Sequence, residues 1–177
     1  MRICLVFAIC TLFVTQQASS HARFELNGTL KPRNASTGLK TAPCGGIART
    51  ANIVTLTKGQ TFTVTWEETI NHPGRYEFYY STANDAGFKL LKTIQDVQDA
   101  GAVPHKYSTT LKIDEVCDAC TLQLIQVMTD TNPATNYYSC SDIKVKAAAV
   151  APPPVEEDPP PEEDDGGTKK RDSCTPP

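Results

Sequence analysis

Apolar and polar residues alternate in short runs through the middle of this chain. The clearest run is Thr61-Phe62-Thr63-Val64-Thr65-Trp66, with Phe62, Val64 and Trp66 on one face and threonines on the other. A period of two is the signature of a half-buried strand. Further strands are predicted at Asn52 to Leu56, Tyr76 to Ser81, Ser108 to Ile113, Thr121 to Met128 and Tyr137 to Val145. Turn formers separate them: Lys58-Gly59, His72-Pro73-Gly74, Asn84-Asp85-Ala86-Gly87 and Asp130-Thr131-Asn132-Pro133. The stretch from Phe88 to Ala100 is expected to hold one short helical turn at most. Strands at this spacing, without a sustained helical period, predict an all-β antiparallel sandwich. The phase of Trp66, the only tryptophan, puts it in the core.

The two ends of the chain depart from this pattern. Arg2 is followed by an apolar run from Ile3 to Val14 and a polar exit, Gln16-Gln17-Ala18-Ser19-Ser20. Residues 1–20 therefore read as a secretory signal peptide, with Ala18 at −3 and Ser20 at −1 of the cleavage site. No second apolar stretch is long enough to span a bilayer, so the processed protein is expected to be secreted, extracellular and without a membrane span. Residues 147–177, with Pro152-Pro153-Pro154 and Glu156 to Asp165, are too rich in proline and charge to bury a core. They are expected to form a disordered tail behind a sandwich at residues 21–146. Residues 21–150 carry a net charge of +1 and residues 151–177 one of −5. The body has no basic face for nucleic acid. Five cysteines outlast the signal: Cys44, Cys117, Cys120, Cys140 and Cys174. Export favours disulfides over the zinc or redox reading of Cys117-Asp118-Ala119-Cys120, which has no second CxxC. The four body cysteines allow three pairings; Cys44–Cys140 with Cys117–Cys120 is preferred, leaving Cys174 odd. Asn27-Gly28-Thr29 and Asn34-Ala35-Ser36 are glycosylation sequons, relevant in a eukaryotic host.

Signal cleavage would make His21 the N-terminal residue. It would then offer two donors to one metal, its amine nitrogen and its imidazole Nδ1. A second histidine completes three-nitrogen, tetragonal ligation, which suits copper(II). His72 lies at a polar corner between two strands and is the expected partner. His105, ahead of the Ser108 strand, is expected on the surface and held in reserve.

With these elements in order, the chain resembles the histidine-brace copper proteins: the lytic polysaccharide monooxygenases and their copper-acquisition relatives. The resemblance rests on His21-Ala22-Arg23-Phe24, Pro43-Cys44-Gly45-Gly46, the Thr-x-x-His segment at His72 running into Tyr79-Tyr80-Ser81, and Asn136-Tyr137-Tyr138-Ser139-Cys140-Ser141-Asp142. It implies an immunoglobulin/fibronectin-like sandwich binding one copper through the amine and Nδ1 of His21 and Nε2 of His72. Tyr137 matches the axial aromatic residue at the reaction centre, with Tyr138 turned towards the core. Asp142 matches a strand acid and is the alternative third ligand, as in the copper-acquisition branch. Gln123 and Gln126 are the candidates for a supporting polar residue. The implied activity is oxidative cleavage of an insoluble polysaccharide by a monomer fed by an external electron donor. The alternatives are a non-catalytic copper-binding protein with the same brace, and a carbohydrate-binding or adhesion sandwich.

Overall fold

The computed structural model describes residues 21–149 apart from residue 99. The signal segment, nearly all of the acidic tail and Cys174 lie outside the described residues. Eight strands follow one another: β1 (Ala22–Phe24), β2 (Val54–Thr57), β3 (Thr61–Glu68), β4 (Gly74–Ser81), β5 (Lys89–Gln95), β6 (His105–Lys112), β7 (Cys117–Met128) and β8 (Thr135–Lys146). They form a three-stranded sheet, β1-β3-β6, and a five-stranded sheet, β2-β8-β7-β4-β5. The chain is thus an all-β sandwich, with no helix among the described residues.

Three strands depart from the sequence expectation, the first being β1, whose three residues were not expected to form one. Residues 89–95, within the stretch expected to hold one short helical turn at most, are the edge strand β5. Opposite β5 the register shifts between Phe78 and Tyr79, so that Phe78 faces Lys92 while Tyr79 faces Leu90. The extra residue breaks the period of two, which hides the strand from pattern reading. β2 runs parallel to β8, the one parallel pair in an otherwise antiparallel arrangement of the described strands. Its geometry follows from the long loop, residues 25–53, that carries the chain from one sheet to the other.

The inner faces meet over Phe24, Val64, Trp66, Phe78, Leu122 and Ile143, all buried. Trp66 packs edge-on against Tyr76 and Phe78, with ring centroids 5.3 and 5.1 Å away. Along β8, alternation sends Tyr137, Ser139, Ser141, Ile143 and Val145 inward. Tyr138, Cys140, Asp142 and Lys144 point to the outer side, against which the 25–53 loop packs. Tyr138 therefore does not turn towards the core as expected; Tyr137, with 5% of its surface exposed, takes the inward position.

The outer side of β8 holds the loop down. Cys44 is disulfide-bonded to Cys140, Arg33 N–H donates to Cys140 O at 2.8 Å and Tyr138 N–H to Leu39 O at 2.8 Å. Gly45 and Gly46 have φ of 70° and 73°, the left-handed region that glycine enters without penalty. A Cβ on Gly45 would also run into Leu39. The PCGG element is thus a cross-link followed by a tight reversal. The second disulfide, Cys117–Cys120, spans a register shift at the start of β7.

Candidate functional site

β1 is short, and its position depends on polar contacts as much as on the ladder. Ala22 N–H donates to Gln126 Oε1 at 2.8 Å and Phe24 N–H to Ser139 Oγ at 3.2 Å. Gln126 in turn donates to Glu68 Oε1 at 2.6 Å. Glu68 is fully buried, accepts from the Tyr107 hydroxyl at 3.4 Å and lies 3.6 Å from His105 Nδ1. Burial, with Glu68 close by, pushes the Tyr76 phenol up. The line Ala22–Gln126–Glu68 fixes the backbone one residue beyond His21. Of the two candidate glutamines, Gln126 is the one bonded next to His21; Gln123, on the opposite face of β7, donates to Pro43 O in the loop.

His21 is held from the other side by Thr69. Its backbone nitrogen donates to Thr69 Oγ1 at 3.0 Å, and its carbonyl accepts from Thr69 N–H at 3.3 Å and Thr69 Oγ1 at 3.2 Å. The Thr-x-x-His pattern acquires a physical meaning: the threonine clasps residue 21, and the chain turns to present His72 three residues later. Gly74 permits that turn to press against β7, because a Cβ there would meet the Val127 carbonyl. Pro73 O accepts from Thr129 N–H at 2.9 Å and Thr129 Oγ1 at 3.0 Å, so the β7–β8 connection is tied to the same corner.

The imidazoles of His21 and His72 face one another, with centroids 5.7 Å apart and planes within 6°. The Tyr137 ring lies against His21 at 3.1 Å between centroids, within 10° of parallel. Lys40 Nζ stands 5.0 Å from the Tyr137 centroid, a cation–π contact. His72 Nδ1 is 2.8 Å from Asp130 Oδ2, which leaves Nε2 as its remaining donor atom. His21 Nδ1 is buried and has no hydrogen-bond partner. Burial pushes the His21 imidazole down to about 4; His72 and Lys40 act in the same direction, and Asp130 against it. At neutral pH it is therefore uncharged, with a lone pair to offer. Among the described residues no group of three or more His, Cys, Asp or Glu side chains is set to hold a metal ion. A metal between these rings would need a third donor of another kind.

The other expected residues lie elsewhere. His105 is not on the surface: it opens β6, pairs with Glu68 across the ladder, is 8% exposed and meets Gly101 O at 3.2 Å through Nε2. Asp142, the alternative third ligand, is corrected by its position. It follows Tyr137 by five residues on β8, about 17 Å at ~3.3 Å per residue, and points to the opposite face. Its Oδ1 accepts from Arg33 at 2.7 Å, its Oδ2 from Thr50 N–H at 2.7 Å, and Arg49 lies 3.3 Å away. A carboxylate spent on two guanidiniums cannot reach His21. Thr69, Asp130 and Lys40 were not singled out by sequence reasoning. Thr69 stands in a recognisable pattern, whereas Asp130 and Lys40 sit in irregular loops that carry no periodic signal.

A β-sandwich that presents two facing histidines at one end, one of them leading into the first strand, defines a narrow class. Residues 15–143 match the family model described as lytic polysaccharide mono-oxygenase, cellulose-degrading, and the chain belongs to that family. Among solved structures, a cellulose-active polysaccharide monooxygenase from M. thermophila is 15% identical, with a TM-score of 0.48 over 70% of this chain and 68% of that one. T.fusca AA10A is 14% identical, with a TM-score of 0.43 over 71% and 73%. A superoxide reductase (neelaredoxin) from Ignicoccus hospitalis is 17% identical, with a TM-score of 0.39 over 52% and 74%. No curated protein matches the sequence. No helix among the described residues is long and apolar enough to cross a membrane.

Proposed function

We propose that this chain is a secreted, copper-dependent polysaccharide monooxygenase. In this reading residues 1–20 are removed, residues 21–146 form the copper domain, and the protein acts as a monomer. His21 holds copper through its freed amine and Nδ1, and His72 holds it through Nε2. The observation that carries the reading is the buried His21 Nδ1, which has no hydrogen-bond partner and sits in a ring facing His72. A buried nitrogen left unpaired costs about 1–3 kcal/mol, a cost that coordination removes. Its depressed proton affinity fits as well, because a ligating imidazole must be neutral. Copper cycling between two oxidation states would supply activation of an oxygen co-substrate, with electrons from an external donor, to remove hydrogen from a glycosidic carbon.

The protein's own residues do the positioning. Thr69 orients the amine arm, and Tyr137 closes one side of His21, leaving the opposite side for the substrate. The substrate class is an insoluble polysaccharide, cellulose or chitin. Trp66 is 1% exposed and cannot stack on a sugar. The ion pairs of Asp142 count against the copper-acquisition alternative, which needs its carboxylate on the metal.

The test is ascorbate-driven release of oxidised oligosaccharides from cellulose and chitin. The processed protein with copper should release them and His72→Ala should not. Tight copper binding without any released product would make the protein a non-catalytic copper carrier.

A further inference from the structure

Asp130 has no part in the family resemblance, yet its carboxylate stands behind the His72 ring, with Oδ2 2.8 Å from Nδ1. The carboxylate is acceptor-only when ionised, so the bond requires the proton on Nδ1. That choice of tautomer leaves the Nε2 lone pair free. The contact is built in by the fold. Thr129, the residue before Asp130, is tied to Pro73, the residue after His72, by two hydrogen bonds at 2.9 and 3.0 Å. Gly74 lets this corner close onto β7. The β4 corner and the β7–β8 connection are thereby locked side by side, and the two side chains meet across that lock. Among the described residues, the ion pair of Asp130 is with His72, and no lysine or arginine competes for it.

We propose that Asp130 is a positioning residue for the second arm of the metal site. It fixes the Nδ1–H tautomer of His72, sets the plane of its ring opposite His21, and raises the electron-donating power of Nε2. Carboxylates behind ligating histidines act in this way, and their loss costs 10–100-fold in metal affinity as an order of magnitude. A negative charge beside the ligand also favours the more highly charged oxidation state of the metal. The inference rests on His72 being a ligand.

The separating experiment uses the full processed chain and two variants, Asp130→Ala and Asp130→Asn. Three readouts are taken: the tautomer of His72 by nitrogen NMR without metal, the copper(II) dissociation constant, and the copper reduction potential. Wild-type His72 should carry its proton on Nδ1. Asp130→Ala should lose that preference, bind copper roughly 10–100-fold more weakly, and show a raised potential. Asp130→Asn keeps an acceptor oxygen, so the tautomer should persist while the potential still rises, a split that a merely structural role would not give. If wild type and Asp130→Ala share one tautomer, one affinity and one potential, the inference falls and the copper reading stands. If the wild type binds no copper, both fall together.

Discussion

Strand β8 carries two polar centres that invite comparison. At one end, Tyr137 lies against His21; five residues on, Asp142 faces Arg33 and Arg49. The Asp142 centre is closed. Arg33 bonds Asp142 and also both oxygens of Asp85, each at 2.7 Å, and holds the Asp85 carboxyl below its usual range. Thr121 and Thr50 take up remaining valences. The result joins the 25–53 loop, the turn after β4 and strands β7 and β8. The His21 centre is open: a buried nitrogen with no hydrogen-bond partner, a neighbouring ring whose Nδ1 is occupied and whose Nε2 is left over, and a clasp on the backbone. The closed cluster ties the fold together, whereas the open one leaves donor atoms unspent.

Breaking the closed centre should hurt stability and spare the site. Arg33→Met leaves two carboxylates short of their partner, one of them fully buried, and should cost about 3–5 kcal/mol. Urea unfolding measures it, and copper affinity of the folded fraction should not move. Asp142→Asn is milder, about 1–3 kcal/mol. If Asp142→Asn instead strips the copper while stability holds, the two centres have been assigned the wrong way round.

The open centre should reveal itself through pH. The His21 imidazole has a folded value near 4, below the ~6.5 of an unfolded histidine. The unfolded chain therefore binds more protons in that window, and protons favour unfolding. The copper-free protein should keep the full contribution above about pH 6.5 and lose it progressively towards pH 4. Melting temperature against pH reads this directly, and His21→Gln should flatten that part of the curve. The smallest effect is expected from Tyr137→Phe. The ring that covers His21 remains and only a hydroxyl goes, so copper should bind within a factor of about three, a difference of ~0.6 kcal/mol. Its paramagnetic resonance spectrum should shift slightly.

Sequence pattern carried the fold wherever alternation was clean. Phe62, Val64 and Trp66 fixed β3, and the turn residues fixed its neighbours. It failed at β5, where a register shift interrupts the period, and at β1, where three residues are too few to show one. The Tyr137–Tyr138 pair shows the limit more sharply. Phase alone decides which ring faces inward: Tyr137 keeps its expected place against His21, while Tyr138 lies on the side opposite to the one expected. His105 was misread because the sequence around it is polar, whereas its burial depends on Glu68, its cross-strand partner on β3. His21 and His72 were legible as types and positions, but Asp130 was not. Its role arises from two loops brought together by Pro73 and Thr129, a contact that no local pattern encodes.

In the proposed site the first residue of the processed chain supplies two of the three nitrogen donors. Copper(II) is titrated into two proteins, one starting at His21 and one with a single glycine ahead of it. The fold depends on neither form, since Thr69 and Gln126 hold residues 21 and 22 through groups that both retain. The first protein should bind copper tightly and one-to-one, with a tetragonal resonance spectrum. The second should lose that spectrum and the tight binding, with unchanged thermal stability when metal-free. Equal affinity and equal spectra in the two proteins would rule out the amine of His21 as a ligand.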